Sequence, residues 1–262
     1  MLQKLLLMLI VGVVSVPAYA GDRDFCSERP GQTTPPCTLA PGVFMIETSL
    51  ADWSRSGDAG SQTDTYLLGN SLLRAGVTPR LELQFGWAPY GKVRSLDFGT
   101  GLSQADSGVG DITIGFMYGL GQDNGPVAVQ GFATLPTGGS AIGAGDWGAG
   151  VRLPIQLPAG HGVQLSFTPE IDAAVNSSRS GRHLAFGAAA GIGAPVAARL
   201  SASIDAALFR NNDPNGGRTL ATAGGSIAYQ AKKNLQFDTG LVAGLNEATP
   251  KIRLYAGVAA RF

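Results

Sequence analysis

The sequence KIRLYAGVAARF, residues 251–262, alternates between two kinds of side chain along its whole length. One parity is entirely apolar and consists of Ile252, Leu254, Ala256, Val258, Ala260 and Phe262. The other parity carries the cations Lys251, Arg253 and Arg261. A period of two predicts a β-strand, and a strand with one oily and one cationic face needs a different medium on each side. A transmembrane β-barrel provides both, because its strands separate lipid from a polar interior.

The composition and the first residues indicate an exported protein. The chain has 262 residues with 19 Lys+Arg against 19 Asp+Glu, and this zero net charge argues against a nucleic-acid partner. Residues 1–20 contain an early cation, an apolar run and the sequence Ala18-Tyr19-Ala20, as in a signal peptide cleaved after Ala20. No later apolar run approaches the roughly 20 residues of a membrane helix. We therefore expect Sec-type export to the outer membrane of a Gram-negative bacterium.

The two cysteines of the chain, Cys26 and Cys37, both lie in the Pro-rich residues 21–41. In an oxidising periplasm they should form a disulfide, which closes a short loop and is worth about 3 kcal/mol on the entropic account. The spacing is not that of a redox motif, and no histidine is near enough in sequence to suggest a metal site. We predict a periplasmic N-terminal segment at residues 21–41, a barrel at residues 42–262, and no cofactor.

From residue 42 onward, about twelve segments have roughly the 9 to 11 residues that a tilted membrane strand requires. They are residues 42–53, 65–75, 80–90, 110–120, 126–136, 146–157, 162–175, 183–194, 197–210, 218–230, 235–246 and 251–262. Long polar connections follow the odd segments, and short turns follow the even ones. This pattern predicts an all-β antiparallel barrel with long external loops and both termini in the periplasm. Alternation is weakest in the second and tenth segments.

The two faces of these strands predict which side chains line the lumen and which meet the membrane surface. Charged residues on the inward parity, predicted to line the lumen, are Glu47, Arg80, Glu82, Asp111, Arg152, Glu170, Asp172, Arg199, Asp205, Asp238, Lys251, Arg253 and Arg261. Aromatic residues near strand ends, predicted to lie at the membrane interfaces, are Trp53, Trp87, Trp147, Tyr118, Tyr229 and Phe262. We expect the cations of the last strand to face Glu47, because the last and first strands must pair to close the barrel.

The inward charges have a structural and a functional interpretation. Charges of both signs can pair and fill a small barrel, or they can line a path that selects a solute. Glu170 and Asp172 share a face and could form an acid/base pair, although relief of their repulsion by an arginine is the simpler interpretation. An outer-membrane hydrolase would need a nucleophile near a rim histidine, and Ser177, Ser178 and Ser180 precede His183.

Short glycine-based motifs in the middle of the chain resemble those of a known family. They are Ser107-Gly108-Val109-Gly110-Asp111-Ile112-Thr113-Ile114-Gly115, Met117-Tyr118 and Thr134-Leu135-Pro136-Thr137-Gly138, together with the strand that follows Pro250 and ends at Phe262. They resemble the outer-membrane β-barrel family of the meta-pathway of phenol degradation, whose members are described as transporters. Met117 replaces a lysine that is common in the family. The resemblance implies a barrel that takes up small aromatic or hydrophobic compounds.

The sequence therefore predicts a channel or transporter for small hydrophobic or aromatic molecules. Its partners would be outer-membrane lipids, the solute, and the barrel-insertion machinery, which reads a terminal aromatic residue such as Phe262. Two alternatives remain open at this point. One is a closed structural barrel whose external loop, residues 91–109, binds a partner, and the other is the rim hydrolase.

Overall fold

The computed structural model describes residues 23–121 and 124–262, so the predicted signal peptide at residues 1–20 lies outside the described part of the chain. The strands are β1 (Phe44–Gly57), β2 (Ser61–Leu68), β3 (Asn70–Thr78), β4 (Leu81–Trp87), β5 (Tyr90–Asp97), β6 (Ser103–Gly108), β7 (Ile112–Leu120), β8 (Val127–Leu135), β9 (Gly148–Arg152), β10 (Ile155–Pro158), β11 (Gln164–Val175), β12 (Arg182–Ala197), β13 (Leu200–Asn211), β14 (Arg218–Lys232), β15 (Leu235–Gly244) and β16 (Ile252–Arg261). Within the described residues, no helix is long and apolar enough to span a membrane.

These strands form a closed antiparallel barrel whose wall has twelve strand positions, here called staves, as the sequence predicts. One stave is shared by β9 and β10. In order around the barrel the staves are β1, β3, β4, β7, β8, β9 with β10, β11, β12, β13, β14, β15 and β16. The last strand pairs with the first, for example Arg261 with Met45 and Arg253 with Ser54. Closure leaves no free edge within the barrel wall, so the backbone polar groups of neighbouring strands satisfy one another.

Strands β2, β5 and β6 are not part of the barrel wall. They continue β3, β4 and β7 beyond the wall in the same register and form a sheet with the outer half of β1, in which β1 pairs with β2, β2 with β5, and β5 with β6. The sequence prediction was wrong here, because residues 65–75 are not one strand and residues 54–64 and 91–109 are not simple loops. The chain bends at Gly69, whose φ of +68° suits glycine, and β3 continues from Asn70 along β1 in the same direction and register as β2.

The predicted sixth strand, residues 146–157, is interrupted. It consists of β9 and β10, with Leu153 and Pro154 between them. Proline has no N–H to donate to a sheet, and the carbonyl of Pro154 instead accepts from Ala128 at 2.9 Å. The wall is therefore continuous around the barrel in spite of this break.

The two faces of the wall differ as the alternation predicts. Large apolar side chains point outward and are exposed, for example Ile204 at 66% and Phe167 at 45%. The largest fully buried side chains face inward and include Arg74, Glu47, Glu82, Met45 and Met117. An apolar belt outside and a charged interior are the reverse of a soluble domain and match a membrane barrel.

Candidate functional site

The N-terminal segment, residues 23–41, lies inside the barrel. It enters at the end where Phe44 hydrogen-bonds to Phe262, here called the terminal end. At that end Arg23 donates to the carbonyl of Pro79 at 2.8 Å, and Arg261 donates to the carbonyl of Arg23 at 2.7 Å. The sequence predicts a periplasmic segment that precedes the barrel, whereas its described residues occupy the interior. The physical reason is that its polar groups are the partners of the inward charges.

The disulfide between Cys26 and Cys37, predicted from the sequence, is present and closes the base of this segment. Arg74 of β3 is fully buried and joins that base to the wall. Its guanidinium lies 2.9 Å from Glu47 and 2.8 Å from Glu82, and it donates to the carbonyls of Cys26 and Cys37. One arginine therefore neutralises two wall carboxylates and holds both sides of the disulfide loop.

Residues 28–34, here called the tip, cross the middle of the lumen. Glu47 accepts the backbone N–H groups of Glu28 and Arg29, each at 3.0 Å. Arg29 forms an ion pair with Asp238 at 2.8 Å. The side chain of Glu28 accepts hydrogen bonds from Gln84 and Gln130. These contacts fix one side of the tip to β1, β4, β8 and β15.

The other side of the tip is held by neutral or singly charged partners. Tyr255 accepts the N–H of Gly31 at 3.1 Å, and the hydroxyl of Thr168 accepts the N–H of Thr34 at 3.0 Å. Gln32 donates to Asp205, and its carbonyl oxygen accepts from Thr222 at 2.7 Å. The tip is thus tethered to β11, β13, β14 and β16 as well.

Glu28 has an unusual electrostatic environment. The pKa of Glu28 is raised from 4.5 to about 7, chiefly by burial and also by the carboxylates of Glu47 and Glu82, against the opposing effect of Arg74 and Arg152. The cause is that a buried carboxylate loses its hydration, while only one fully buried arginine lies among three acids. The charge on the tip therefore changes near neutral pH.

The tip divides the lumen into two cavities. The outer cavity, about 660 Å³, lies on the side of the long loops and is lined by Phe132, Phe209, Arg152, Glu170 and Arg253 among others. The inner cavity, about 390 Å³, lies toward the terminal end and is lined by Phe25, Gln164, Ser166, Ser201 and Ser203 among others. Both cavities reach Glu28, Arg29 and Thr33 of the tip. Both also fall within the roughly 300 to 1,000 Å³ of small-molecule sites.

The outer cavity combines aromatic rings with a charged pair. Arg152 lies 2.7 Å from Glu170, and its guanidinium stacks over the ring of Phe132 at 4.6 Å from the centroid. Arg253 pairs with Asp52 across the first and last strands. An aromatic ring beside paired charges provides both an apolar surface and hydrogen-bond partners for a small solute.

The predicted lumen charges divide into those that the structure places around the tip and outer cavity, and those that lie elsewhere. The first set is Glu47, Glu82, Arg152, Glu170, Asp205, Asp238 and Arg253. Asp172 also points inward and packs over Gly150. The last strand does pair with the first, but the prediction that its cations face Glu47 is wrong, because Ala259 lies opposite Glu47 and Arg74 of β3 is the ion-pair partner of Glu47.

The remaining predicted charges lie at the ends of the barrel. Asp111 accepts the N–H groups of Gly138 at 2.7 Å and Ala144 at 2.6 Å, and so fixes the long loop that contains both. Arg80 and Arg199 are exposed in short turns, Lys251 is exposed at the start of β16, and Arg261 holds the N-terminal segment at the terminal end. Alternation alone places them inward because it does not show where a strand stops.

Several interior residues were missed by the sequence analysis. Arg74 was missed because the second segment was given the wrong start, so its alternation with Leu73 and Ala75 was not recognised. Gln84 and Gln130 are inward but uncharged, and were passed over for that reason. Alternation within β3, β4 and β8 would have found all three residues.

The predicted interface aromatics lie on the outer surface of the strands. Trp87, Trp147, Tyr118 and Tyr229 are between 37% and 46% exposed, and Phe262 is 76% exposed. Trp53 is half-buried and donates its indole N–H to Asp64 at 3.1 Å. Arg182 stacks on Trp147 at 3.9 Å from the ring. These positions suit an interface between lipid and water.

The rim histidine does not have the arrangement of a hydrolase. His183 Nδ1 lies 2.9 Å from the side-chain oxygen of Asn176, and the ring is 4.0 Å from Asp213. The hydroxyl of Ser178 donates to a carbonyl, that of Ser177 accepts from Asn215, and Nε2 of His183 has no partner among the described residues. The structure therefore does not bring these serines to the histidine.

The fold and its interior define an outer-membrane-type β-barrel with an internal N-terminal segment. The chain belongs to the family described as "Putative MetA-pathway of phenol degradation", whose sequence profile matches residues 27–262. This confirms the resemblance found in the glycine motifs. A comparison with curated protein sequences gave no match.

Solved structures show the same fold at low sequence identity. An outer membrane channel from Pseudomonas putida F1 is similar over 89% of this chain and 99% of that chain, with 16% identity and a TM-score of 0.67. The translocator domain of the autotransporter NalP from Neisseria meningitidis is similar over 86% of this chain and 90% of that chain, with 12% identity and a TM-score of 0.54. At these identities the likeness establishes the barrel architecture.

Proposed function

We propose that the protein is an outer-membrane channel for small aromatic or other hydrophobic molecules in a Gram-negative bacterium. Sec-type export would deliver it, and the barrel-insertion machinery would recognise β16 with its terminal Phe262. The terminal end would then face the periplasm and the long loops the outside. Support comes from the apolar outer belt, from the barrel fold and from a family described by phenol degradation.

The observation that carries this proposal is the pair of cavities that meet at the tip. A barrel that served only as a structural element would gain stability by filling its interior, because unfilled space costs packing energy. Here about 660 Å³ on one side of the tip and about 390 Å³ on the other remain open. A stepwise route for a small solute fits this division.

The lining of the outer cavity favours a solute with one ring and one polar group. Phe132 and Phe209 provide apolar surface, while Arg152 and Glu170 offer a donor and an acceptor close to the first ring. A phenol has this combination of an aromatic body and a hydroxyl.

A closed structural barrel is the second candidate, because the tip is tethered on most sides. Arg74, Glu47, Glu82, Arg29 and Asp238 form ion pairs that would oppose movement of the segment. In that case the external sheet of β2, β5 and β6 would be the functional surface.

Uptake of radiolabelled phenol by porin-deficient cells tests the proposal, because the lipopolysaccharide leaflet of such cells slows hydrophobic solutes. Cells that produce the barrel should accumulate phenol faster than cells with an empty vector. Zwitterionic phenylalanine, supplied in parallel, should enter at the same rate in both. Equal phenol uptake with and without the barrel, together with no conductance in planar bilayers, would reject the channel and favour the closed barrel.

A further inference from the structure

The hydrogen bonds of the tip do not reach every strand of the barrel wall, and β12 forms one sector that they leave out. Thr34 is tied to Thr168 on β11, and Gln32 is tied to Asp205 on β13. Strand β12 lies between those two strands. Among the described residues, no side-chain hydrogen bond joins the tip to β12, because the inward positions of β12 beside the tip are Ala189, Gly191 and Gly193.

Thr33 fills the space between the tip and β12, and it touches β12 through a van der Waals contact and not through a hydrogen bond. A Cβ atom placed on Gly191 would lie 3.5 Å from Cγ2 of Thr33, so the two residues face each other across the width of one side chain. Within residues 23–121 and 124–262, Thr33 forms no hydrogen bond of its own and is held through its neighbours Gln32 and Thr34. A van der Waals contact gives way more easily than the ion pairs on the opposite side of the tip.

The two cavities meet at this contact. Along β12, Ala189 lines the outer cavity, whereas Gly191 and Gly193 line the inner one. Thr33 lines both cavities. Glu28 and Arg29 also line both, but they are fixed by Gln84, Gln130, Glu47 and Asp238. The contact between Thr33 and Gly191 is therefore the weakest barrier between the two cavities.

We infer that the solute passes between Thr33 and Gly191, and that this contact is the selective constriction of the channel. The inference rests on the proposed function and names its route. The groups that flank the route are the hydroxyls of Thr33, Thr168 and Ser203, the amide of Gln32 and one carboxylate, Asp205. Such a lining suits a neutral, planar molecule with a hydroxyl group and disfavours an anion, which Asp205 repels.

Opposite changes in the width of the constriction test the inference. Gly191→Val fills the gap, and phenol uptake by porin-deficient cells should fall about tenfold because passage depends on pore diameter. The matched control is Ala190→Val, since Ala190 is the next residue on β12 and its side chain is exposed on the lipid face. Thr33→Gly should widen the passage, raising both uptake and single-channel conductance. A shift of electrophoretic mobility on boiling checks that each variant forms a barrel.

The outcomes separate the route from the function. A loss of uptake in Gly191→Val but not in Ala190→Val supports the constriction. Equal uptake by both variants, with phenol still entering through the wild-type protein, overturns the route and leaves the channel in place. Absence of uptake in both the wild-type protein and Thr33→Gly overturns the route and the proposed function together.

Discussion

Two walls of the lumen hold the N-terminal segment in different ways. The charged wall, formed by β1, β3 and β4, presents Glu47, Arg74 and Glu82 in one ion-pair cluster. The bare wall, formed by β12 and the adjoining β11, presents alanine, glycine and the single hydroxyl of Thr168 at the tip. The segment is therefore anchored by ion pairs on one side and by a single hydrogen bond, from Thr34 to Thr168, on the other. A segment held in this way can yield at the bare wall while its base stays in place.

The largest effect should come from the charged wall. Arg74→Met leaves the carboxylates of Glu47 and Glu82 buried without a cation, which should cost about 3 to 5 kcal/mol. We expect a lower urea midpoint of unfolding in lipid vesicles and cleavage of the N-terminal segment after Phe25 by chymotrypsin added at the terminal end. Arg199→Met, at an exposed turn, is the matched control and should leave both unchanged.

A compensating variant distinguishes charge from packing. Adding Glu47→Gln and Glu82→Gln to Arg74→Met removes the unpaired charges and should recover most of the lost stability. If the triple variant is as unstable as Arg74→Met alone, the ion pairs do not account for the strength of the charged wall.

The next largest effect is a pH dependence of the strength with which the N-terminal segment is held in the lumen. It comes from Glu28, which lies at the edge of the charged wall. Because the pKa of Glu28 is raised to about 7 when the N-terminal segment is docked in the lumen, the docked segment binds this proton more tightly than a segment released from the lumen. Docking is therefore strongest below about pH 4.5, and about 3 kcal/mol is lost as the pH rises to about 7. Conductance should increase over this range and then level off.

Glu28→Gln should remove this dependence, because an amide does not titrate while it keeps the size of the side chain. The groups that face Glu28 are Glu47 on β1, Arg74 on β3, Glu82 and Gln84 on β4, Gln130 on β8 and Arg152 on β9. Conductance that changes with pH to the same degree in Glu28→Gln and in the wild-type protein would assign the effect to another group.

The disulfide should have a smaller effect, because it acts on the base of the segment while Arg74 remains. Replacing Cys26 and Cys37 by serine frees a loop with a sequence separation of 11. The loss should be about 2 to 3 kcal/mol for ordering of the segment, with the barrel itself retained. Chymotrypsin sensitivity of the segment at Phe25 should rise while the boiling-dependent mobility shift persists, and loss of that shift would contradict this separation.

The smallest effect is expected at the bare wall. Thr168→Val removes the hydroxyl that accepts the N–H of Thr34, and one such hydrogen bond is worth about 1 kcal/mol. The control is Thr113→Val, which removes a lumen hydroxyl that bonds to Thr134 and not to the segment. A larger conductance increase from Thr168→Val than from Arg74→Met would reverse the comparison between the two walls.

Much of the architecture follows from the alternation of side chains. The parity of β4, β7, β11, β13 and β16 assigns their lipid and lumen faces correctly, because each face meets a different medium. Alternation does not predict the strand bounds correctly where a glycine or proline interrupts an alternating run, as at Gly69 and Pro154. Such an interruption changes the path of the backbone without changing the order of polar and apolar residues.

The sequence by itself determined the disulfide, the family, the number of staves and the two faces of the wall. Each of these depends on a local pattern of residues or on which residue types are present. Only the tertiary structure decided that residues 23–41 lie inside the barrel. It also decided that Arg74 joins Cys26, Cys37, Glu47 and Glu82, and that Thr33 faces Gly191. The physical reason is that an inward charge specifies only that a partner must exist. Which residue supplies that partner depends on strand register and on the space that barrel closure leaves.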